Sequence, residues 1–367
     1  MKKHLFLLAL GAAALTGCTS SEVLDEGIQS NAIGFSNVVN KPSRAVSGDL
    51  TNTSFDNFLV YGYYIKPGMT TPIQIFNGVP VQKKKDDGVE KWVYSEGGTR
   101  YWVPGCTYYF YAYSCADVAL TSGKGNPSFS LFDGTNPTVD DRALTLQQYL
   151  CDSEHQHDLV TAENENIVAL ESGNHEVSLP FRHALCKVKA VFTTDFPVGY
   201  KVYVSNVSVS SFYNKADYNV GTNTWSNYTA NTNNPAYVSL SFGSATNFVE
   251  NKPGSELSTS EAFLIPKNYD TKNSENVKLH FTITVAKVDN INGQVVENNV
   301  LQRNIVGTWS PQWTGGNIYK YNVVISGSSA GIEPIVFAAN QEIGASSWDD
   351  TTTLDMVFGI DPNPVNE

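Results

Sequence analysis

Tyr101-Trp102-Val103-Pro104-Gly105-Cys106-Thr107-Tyr108-Tyr109-Phe110-Tyr111-Ala112-Tyr113 reads as a turn that feeds a β-strand. Pro104-Gly105 is a turn signal, and the aromatic run after it is strand usage. Rings fall on both alternating faces of that strand. The sequence therefore predicts a strand covered on both sides, or one with a face covered by a partner. The pattern Trp102-x-x-Gly105-x-x-Tyr108-x-Phe110 recurs as Trp313-x-x-Gly316-x-x-Tyr319-x-Tyr321. In each copy a turn glycine leads into a strand with rings at alternate positions. Such an internal echo predicts two similar halves, here two β-sandwiches split near residues 175–185.

Other strands follow from the same signals. Phe58-Leu59-Val60-Tyr61-Gly62-Tyr63-Tyr64-Ile65 is long and ends at Lys66-Pro67-Gly68. Residues 72–81 and 91–94 are shorter strands. The charged run Lys83-Lys84-Lys85-Asp86-Asp87-Gly88 between them reads as a solvated hairpin tip. The second half opens with residues 177–181 and 183–192 and continues through 202–209, 237–242, 262–265, 277–285 and 319–325. Within it, Lys278-Leu279-His280-Phe281-Thr282-Ile283-Thr284-Val285 alternates almost without a break, so one face is buried. Residues 142–150 are expected to form a short helix. Residues 211–236 and 244–259 are expected to be long surface loops.

Composition agrees with an exported β protein. Charged residues make up 16% of the chain, below the usual quarter, and Tyr, Phe and Trp total 43. The net charge of −12 argues against nucleic-acid binding, which needs a basic face. No later apolar run approaches the ~20 residues of a membrane helix. Cys106, Cys115, Cys151 and Cys186 are either buried thiols or disulfides of unassigned connectivity. Their spacing does not suggest zinc. His155-Gln156-His157-Asp158 reads as a polar loop rather than a metal site.

The N-terminal stretch has a layout of its own. Lys2 and Lys3 precede an apolar run, residues 5–15, which ends in Leu15-Thr16-Gly17-Cys18. This is an export signal, too short to be a stable span. Its ending resembles the lipobox of bacterial lipoproteins, which implies a signal peptide over 1–17 and acyl chains on Cys18. Glu22, Asp25 and Glu26 resemble the surface-export signal of Bacteroidetes lipoproteins. A polar spacer then leads to Ile33-Gly34-Phe35, with Val38 and Val39, and on to Lys41-Pro42-Ser43-Arg44-Ala45-Val46. We read Ile33 and Phe35 as part of a removable strand and Arg44–Ala45 as a protease site. At the other end, Leu354, Met356, Phe358 and Ile360 form an apolar stripe on one strand face. That strand is either the last of its own domain or one meant for another molecule.

Together these motifs resemble the fimbrillin family of Bacteroidales, whose members are lipoprotein precursors of type V pili. The resemblance is carried by Ile33-Gly34-Phe35 before Arg44-Ala45, and by Phe58-Leu59-Val60-Tyr61. It continues in Tyr101-Trp102-Val103-Pro104-Gly105 with its aromatic strand, and in Phe181-Arg182-His183-Ala184-Leu185-Cys186-Lys187-Val188. Leu264-Ile265-Pro266 and residues 313–321 complete it. It implies an all-β fold of two transthyretin-like sandwiches. The implied layout is signal peptide 1–17, lipid-anchored propeptide 18–44, N-terminal domain 45–180, C-terminal domain 181–330 and donor-strand extension 331–367. It further implies a pilus subunit at the outer membrane and in the fimbrium. That subunit would be cut after Arg44 by a trypsin-like protease, polymerise with other pilus subunits by strand exchange, and contribute to adhesion. An Arg at the cut position together with the striped tail favours a stalk subunit over a tip or an anchor. The main alternative is a monomeric surface lipoprotein or tip adhesin whose aromatics, Trp225 among them, bind glycans of a host or bacterial receptor. An enzyme finds no support: no Gly-x-Ser-x-Gly, His-Glu-x-x-His or phosphate loop occurs, and no cofactor is implied.

Overall fold

The computed structural model describes residues 31–39, 55–86, 88–94, 97–115, 128–130, 144–171, 176–229, 237–243, 247–270, 275–289, 291–328, 331–344, 349–352 and 357–360. Every regular element among them is a strand. The first half holds β1 (Phe35–Val39), β2 (Asn57–Ile65), β3 (Ile73–Asp86), β4 (Val89–Val93), β5 (Thr107–Cys115), β6 (Ser128–Ser130), β7 (Thr145–Leu150), β8 (Leu159–Val168) and β9 (Val177–His183). Seven of these hydrogen-bond in one closed circuit, β1-β4-β3-β2-β5-β8-β9. Two junctions of the circuit are thin. β1 meets β4 only at Phe35 and Trp92, and β8 meets β9 over two residue pairs. The circuit encloses a core of aromatic and branched side chains, including Phe58, Phe76, Phe110, Leu179 and Phe181.

The second half begins with β10 (Cys186–Thr194), β11 (Tyr200–Ser210), β12 (Lys215–Asn219), β13 (Thr224–Thr229), β14 (Tyr237–Ser239), β15 (Phe248–Val249), β16 (Leu257–Ser258) and β17 (Ala262–Leu264). It continues with β18 (Val277–Val288), β19 (Val295–Trp309), β20 (Ile318–Ser328), β21 (Gly331–Gly344), β22 (Asp349–Thr352) and β23 (Val357–Ile360). One sheet runs β16-β10-β20-β21-β22, with β17 also on β10. The other runs β14-β11-β18-β19-β23, with β15 also on β11. β18 shows why these sheets share a core: Leu279, Phe281, Ile283 and Val285 alternate inward and are buried. Opposite them sit Val188, Ala190 and Phe192 of β10 and Tyr319, Tyr321 and Val323 of β20. The indoles of Trp309 and Trp313 both donate to the Tyr321 hydroxyl, at 3.1 and 2.9 Å.

A third core explains the aromatics on both faces of β5. Tyr108, Phe110 and Ala112 enter the first core, whereas Tyr111 and Tyr113 face Leu59, Tyr61 and Tyr63 of β2. That outer layer is closed by a small sheet, β13-β12-β7-β6, through Leu146, Tyr149, Ala216 and Tyr218. The chain therefore covers both faces of β5 itself. Burial pushes the Tyr61 phenol up to about 12.

Two local expectations are corrected by that small sheet. In place of the short helix expected over 142–150, Thr145–Leu150 is a strand paired with β12. Gln148 interrupts it with φ +54, and its backbone N–H is captured by the Asp217 carboxylate at 2.7 Å. The loop expected over 211–236 contains the β12–β13 hairpin, whose inner face buries Ala216 and Tyr218.

The sequence echo is reproduced as a turn. Gly105 and Gly316 have φ of +75 and +76, conformations that an L side chain rarely takes. In each copy the tyrosine hydroxyl accepts from a backbone N–H in the turn: Val103 to Tyr108 at 2.7 Å and Thr314 to Tyr319 at 2.8 Å. The sheets around the copies differ. β5 lies between two antiparallel neighbours, while β20 lies between parallel β10 and antiparallel β21. A second likeness is topological. In each half the first strand runs parallel to a late one: β1 beside β9, and β10 beside β20. The halves meet at buried Ala184 and Leu185. There the Gly316 N–H donates to the Leu185 carbonyl at 2.8 Å, and a Cβ on Gly315 would lie 2.7 Å from the Ala184 oxygen.

Lys267 ties the small sheet to the second half. Its ammonium lies 4.8 to 5.5 Å from the ring centroids of Tyr213, Tyr228 and Tyr269 and 2.9 Å from Glu275. The Lys267 contact holds the Glu275 carboxyl below the usual carboxylate range. A depressed carboxyl stabilises the fold above its unfolded pKa, and that contribution is lost as pH falls through the folded value. Glu275→Gln should therefore cost about 1 kcal/mol at neutral pH and progressively less toward pH ~3. Urea unfolding of both forms across that range measures it; a pH-independent difference would mean that the charge is not what matters.

Candidate functional site

The most unusual placement in the molecule is that of its first described strand. β1 pairs in parallel with all five positions from Val177 to Phe181 and touches β4 at Trp92. It thereby closes the circuit between β9 and β4. Just before it, the Ile33 N–H donates to the Arg100 carbonyl at 2.8 Å, and the Trp102 N–H donates to the Asn31 carbonyl at 2.9 Å. The Tyr94 hydroxyl donates to the Ile33 carbonyl at 2.9 Å, and the Val177 N–H to the Gly34 carbonyl at 2.8 Å. Burial raises the Tyr94 phenol above its ordinary value.

Ile33 and Phe35 are each only 2% exposed. The Phe35 ring is edge-on to Phe58, Phe76, Tyr94 and Phe110, at centroid distances of 5.4 to 6.0 Å. Burying two such side chains contributes ~3–6 kcal/mol by area. Arg100 lines the same wall, with its guanidinium 4.6 Å from the Phe76 ring centroid. The result is a slot: two strand edges, an aromatic floor, and a short segment seated in it. Chemically it can do one thing well, which is to bind an extended segment with apolar residues at alternate positions.

The sequence-derived residues divide accordingly. Ile33 and Phe35 sit together in the slot. Cys18, Arg44, Ala45, Leu354 and Met356 lie outside the described residues. Phe358 and Ile360 lie in β23, which pairs antiparallel with the edge of β19, Ile360 opposite Ile305. Trp92, Tyr94 and Arg100 also line the slot, a role to which the short strand expected over 91–94 gives no clue. Cys106, Cys115, Cys151 and Cys186 are free thiols, with Cys151 and Cys186 raised chiefly by burial. His155 contacts Asp152 at 2.7 Å, and among the described residues no group of three His, Cys, Asp or Glu side chains is placed to hold a metal ion. Trp225 is half-buried against Tyr149 and Tyr218 and donates to the Ala184 carbonyl at 3.0 Å, so its ring is engaged in the third core.

A family model described as fimbrillin-like matches residues 43–353. The chain belongs to the fimbrillin-like family. Membership places it among fimbrial proteins of the cell surface, a family of structural and adhesion proteins rather than of enzymes. The fold is shared with a fimbrial protein from Bacteroides vulgatus, at 18% identity and a TM-score of 0.54, over 85% of this chain and 99% of that one. A putative cell adhesion protein from Bacteroides uniformis is similar at 16% identity and TM-score 0.41, over 85% and 97% of the two chains. The fimbrial anchor protein Mfa2 from Porphyromonas gingivalis is similar at 10% identity and TM-score 0.34, over 88% and 100%. No curated protein matches.

Proposed function

We propose that this fimbrillin-like chain is a stalk subunit of a fimbria, held closed by β1 until one proteolytic cut removes it. The observation that carries this reading is the position of β1. It is the only described strand N-terminal to Arg44, and it fills a two-edged slot in the first core. Losing it would leave backbone groups of β4 and β9 unpaired and the rings around Phe35 uncovered. A strand from another molecule meets both needs at once.

Connectivity makes the two halves unequal in this respect. β10, the counterpart of β1, is tied to β9 by Ala184-Leu185 alone, so the second half keeps its first strand. β1 is joined to β2 by a longer segment that contains Arg44-Ala45. In this proposal Cys18 carries the lipid that delivers the precursor to the outer membrane, and residues 1–17 are its signal. A trypsin-like protease cuts at Arg44–Ala45, and residues 18–44 depart with the lipid. Two transthyretin-like domains, 45–180 and 181–330, remain. The extension 331–367 then offers Leu354, Met356, Phe358 and Ile360 to the slot of a neighbouring subunit.

Low-dose trypsin on the purified precursor, with N-terminal sequencing and unheated SDS gels, tests this. The expected result is a new terminus at Ala45 followed by an SDS-resistant ladder. A product starting at Ala45 that stays monomeric would count against strand exchange. A chain resistant at Arg44 would count against the cut.

A further inference from the structure

Resting on the strand-exchange reading, we infer that a second copy of this chain enters the slot from the Trp102 end, its strand running parallel to β9 as β1 does, and that its second half seats on an apolar surface around that mouth. Eleven large apolar side chains are exposed among the described residues, and ten of them fall in two places. Met69, Ile73, Tyr101, Val103, Val168 and Leu170 form the first set. They surround the start of β1: Ala32 bridges Tyr101, the Gly105 N–H donates to the Ala169 carbonyl, and the Cβ position of Gly105 is 3.7 Å from Pro67.

The turn itself does not demand apolar residues there. In the second copy of the motif, Gln312 and Thr314 occupy the positions of Tyr101 and Val103 and are likewise exposed. One turn faces water with polar groups; the other, beside the slot, faces it with apolar ones. Such a patch marks an interaction surface. The opposite end of the slot is different. β4 runs antiparallel to β1, so Val89 lies toward the Val39 end, among exposed Lys84, Lys85, Asp86, Glu90 and Lys91. The first end carries fewer exposed charges, Lys66, Glu171 and Glu176, so covering the charged tip would cost more desolvation than covering the first end.

The second set is Val198, Ile291, Val295 and Val296. It lies where β10 and β20, running side by side, leave the junction behind. Asp195 N–H donates to the Ile325 carbonyl, Val288 N–H to the Gly199 carbonyl, and Val288 pairs with Val295. β20 ends there at Ser328, so the extension that would be donated starts at this second apolar surface. A strand leaving one copy at its apolar end and entering the next at its apolar mouth brings the two surfaces together. The contact joins unlike faces, so it can repeat from copy to copy, as a filament requires.

Cysteine placement tests the direction. Cut copies carrying Val103→Cys are mixed with cut copies carrying Ile291→Cys and treated with a short bismaleimide, alongside Val89→Cys with Ile291→Cys and the unsubstituted chain. The expected result is cross-linked dimer from the Val103 pair in ~10-fold excess over the Val89 pair, and none before cutting. Equal yields, or an excess from the Val89 pair, overturn the inference. A ladder is scored on the same samples without cross-linker. Its absence in the unsubstituted chain defeats the strand-exchange reading itself, whereas a normal ladder with the wrong cross-link defeats only the direction. Val103→Glu with Leu170→Glu, both on the exposed surface, should be cut normally and polymerise about 10-fold more slowly; an unchanged rate also overturns the proposal.

Discussion

Phe35→Ala is expected to lower the stability of the uncut precursor by ~3–5 kcal/mol and to let it polymerise without a cut. The first effect follows from packing. Phe35 is buried, and its ring meets four others edge-on, so truncation removes transfer energy and leaves a cavity floored by Phe58, Phe76 and Phe110. The second follows from topology. β1 is held against β4 by a single residue pair at Phe35, and its main ladder is the five-residue run along β9. Weakening the one side chain that anchors both sides raises the fraction of molecules with an open slot, and a competing strand then needs no protease. Urea unfolding of Phe35→Ala in an Arg44→Gln background measures the first effect, and unheated gels of the same sample the second. The cut protein lacks residue 35, so it serves as the control. A stability change below ~1 kcal/mol would mean that the ring is not seated in the core, and the slot would lose its plug.

Much of this arrangement was legible in the sequence, and the failures have physical causes. Ile33-Gly34-Phe35 announced a short strand because its apolar residues alternate, and both side chains are buried. β5 announced coverage on both faces, and the chain supplies it through two different cores. Residues 142–150 carry Arg, Ala, Leu and Gln, all good helix formers, yet β12 recruits them as a strand; tertiary pairing outweighs a propensity of a few tenths of a kcal/mol per residue. Residues 211–236 read as loop because they are rich in Asn, Thr and Tyr. The alternation of Ala216, Tyr218 and buried Val220 was the missed signal. The echo at Trp102 and Trp313 predicted like halves, and what repeats is the turn and its tyrosine hydrogen bond. Local sequence sets a turn; which strands flank it depends on contacts far along the chain. Nothing local marks Tyr94 or Arg100 as walls of a slot, because their roles exist only once β1 lies beside them.

Removing residues 354–367 is expected to abolish the ladder while leaving a folded, cleavable monomer. β23 is an edge strand on β19, with one neighbour and a four-pair ladder from Ile305–Ile360 to Thr308–Val357. The described core of that half is drawn from Cys186 to Ile325, so the second sandwich keeps those contacts when the tail is gone. A strand in the β1 slot has two neighbours, β4 and β9, and lays alternate side chains on an aromatic floor. The same segment therefore gains a second neighbour by leaving home, which gives exchange its direction once the slot is empty. The truncated chain still owns a slot. Mixed with intact cut subunits, it should accept one tail and offer none, so it ends growing chains and shortens the ladder in proportion to its share. Truncation that leaves the ladder at full length would show that the polymer is joined through some other segment. Shortening without abolition, in the truncated chain alone, would mean that part of the donor lies before Leu354, and β21 would become the segment to remove next.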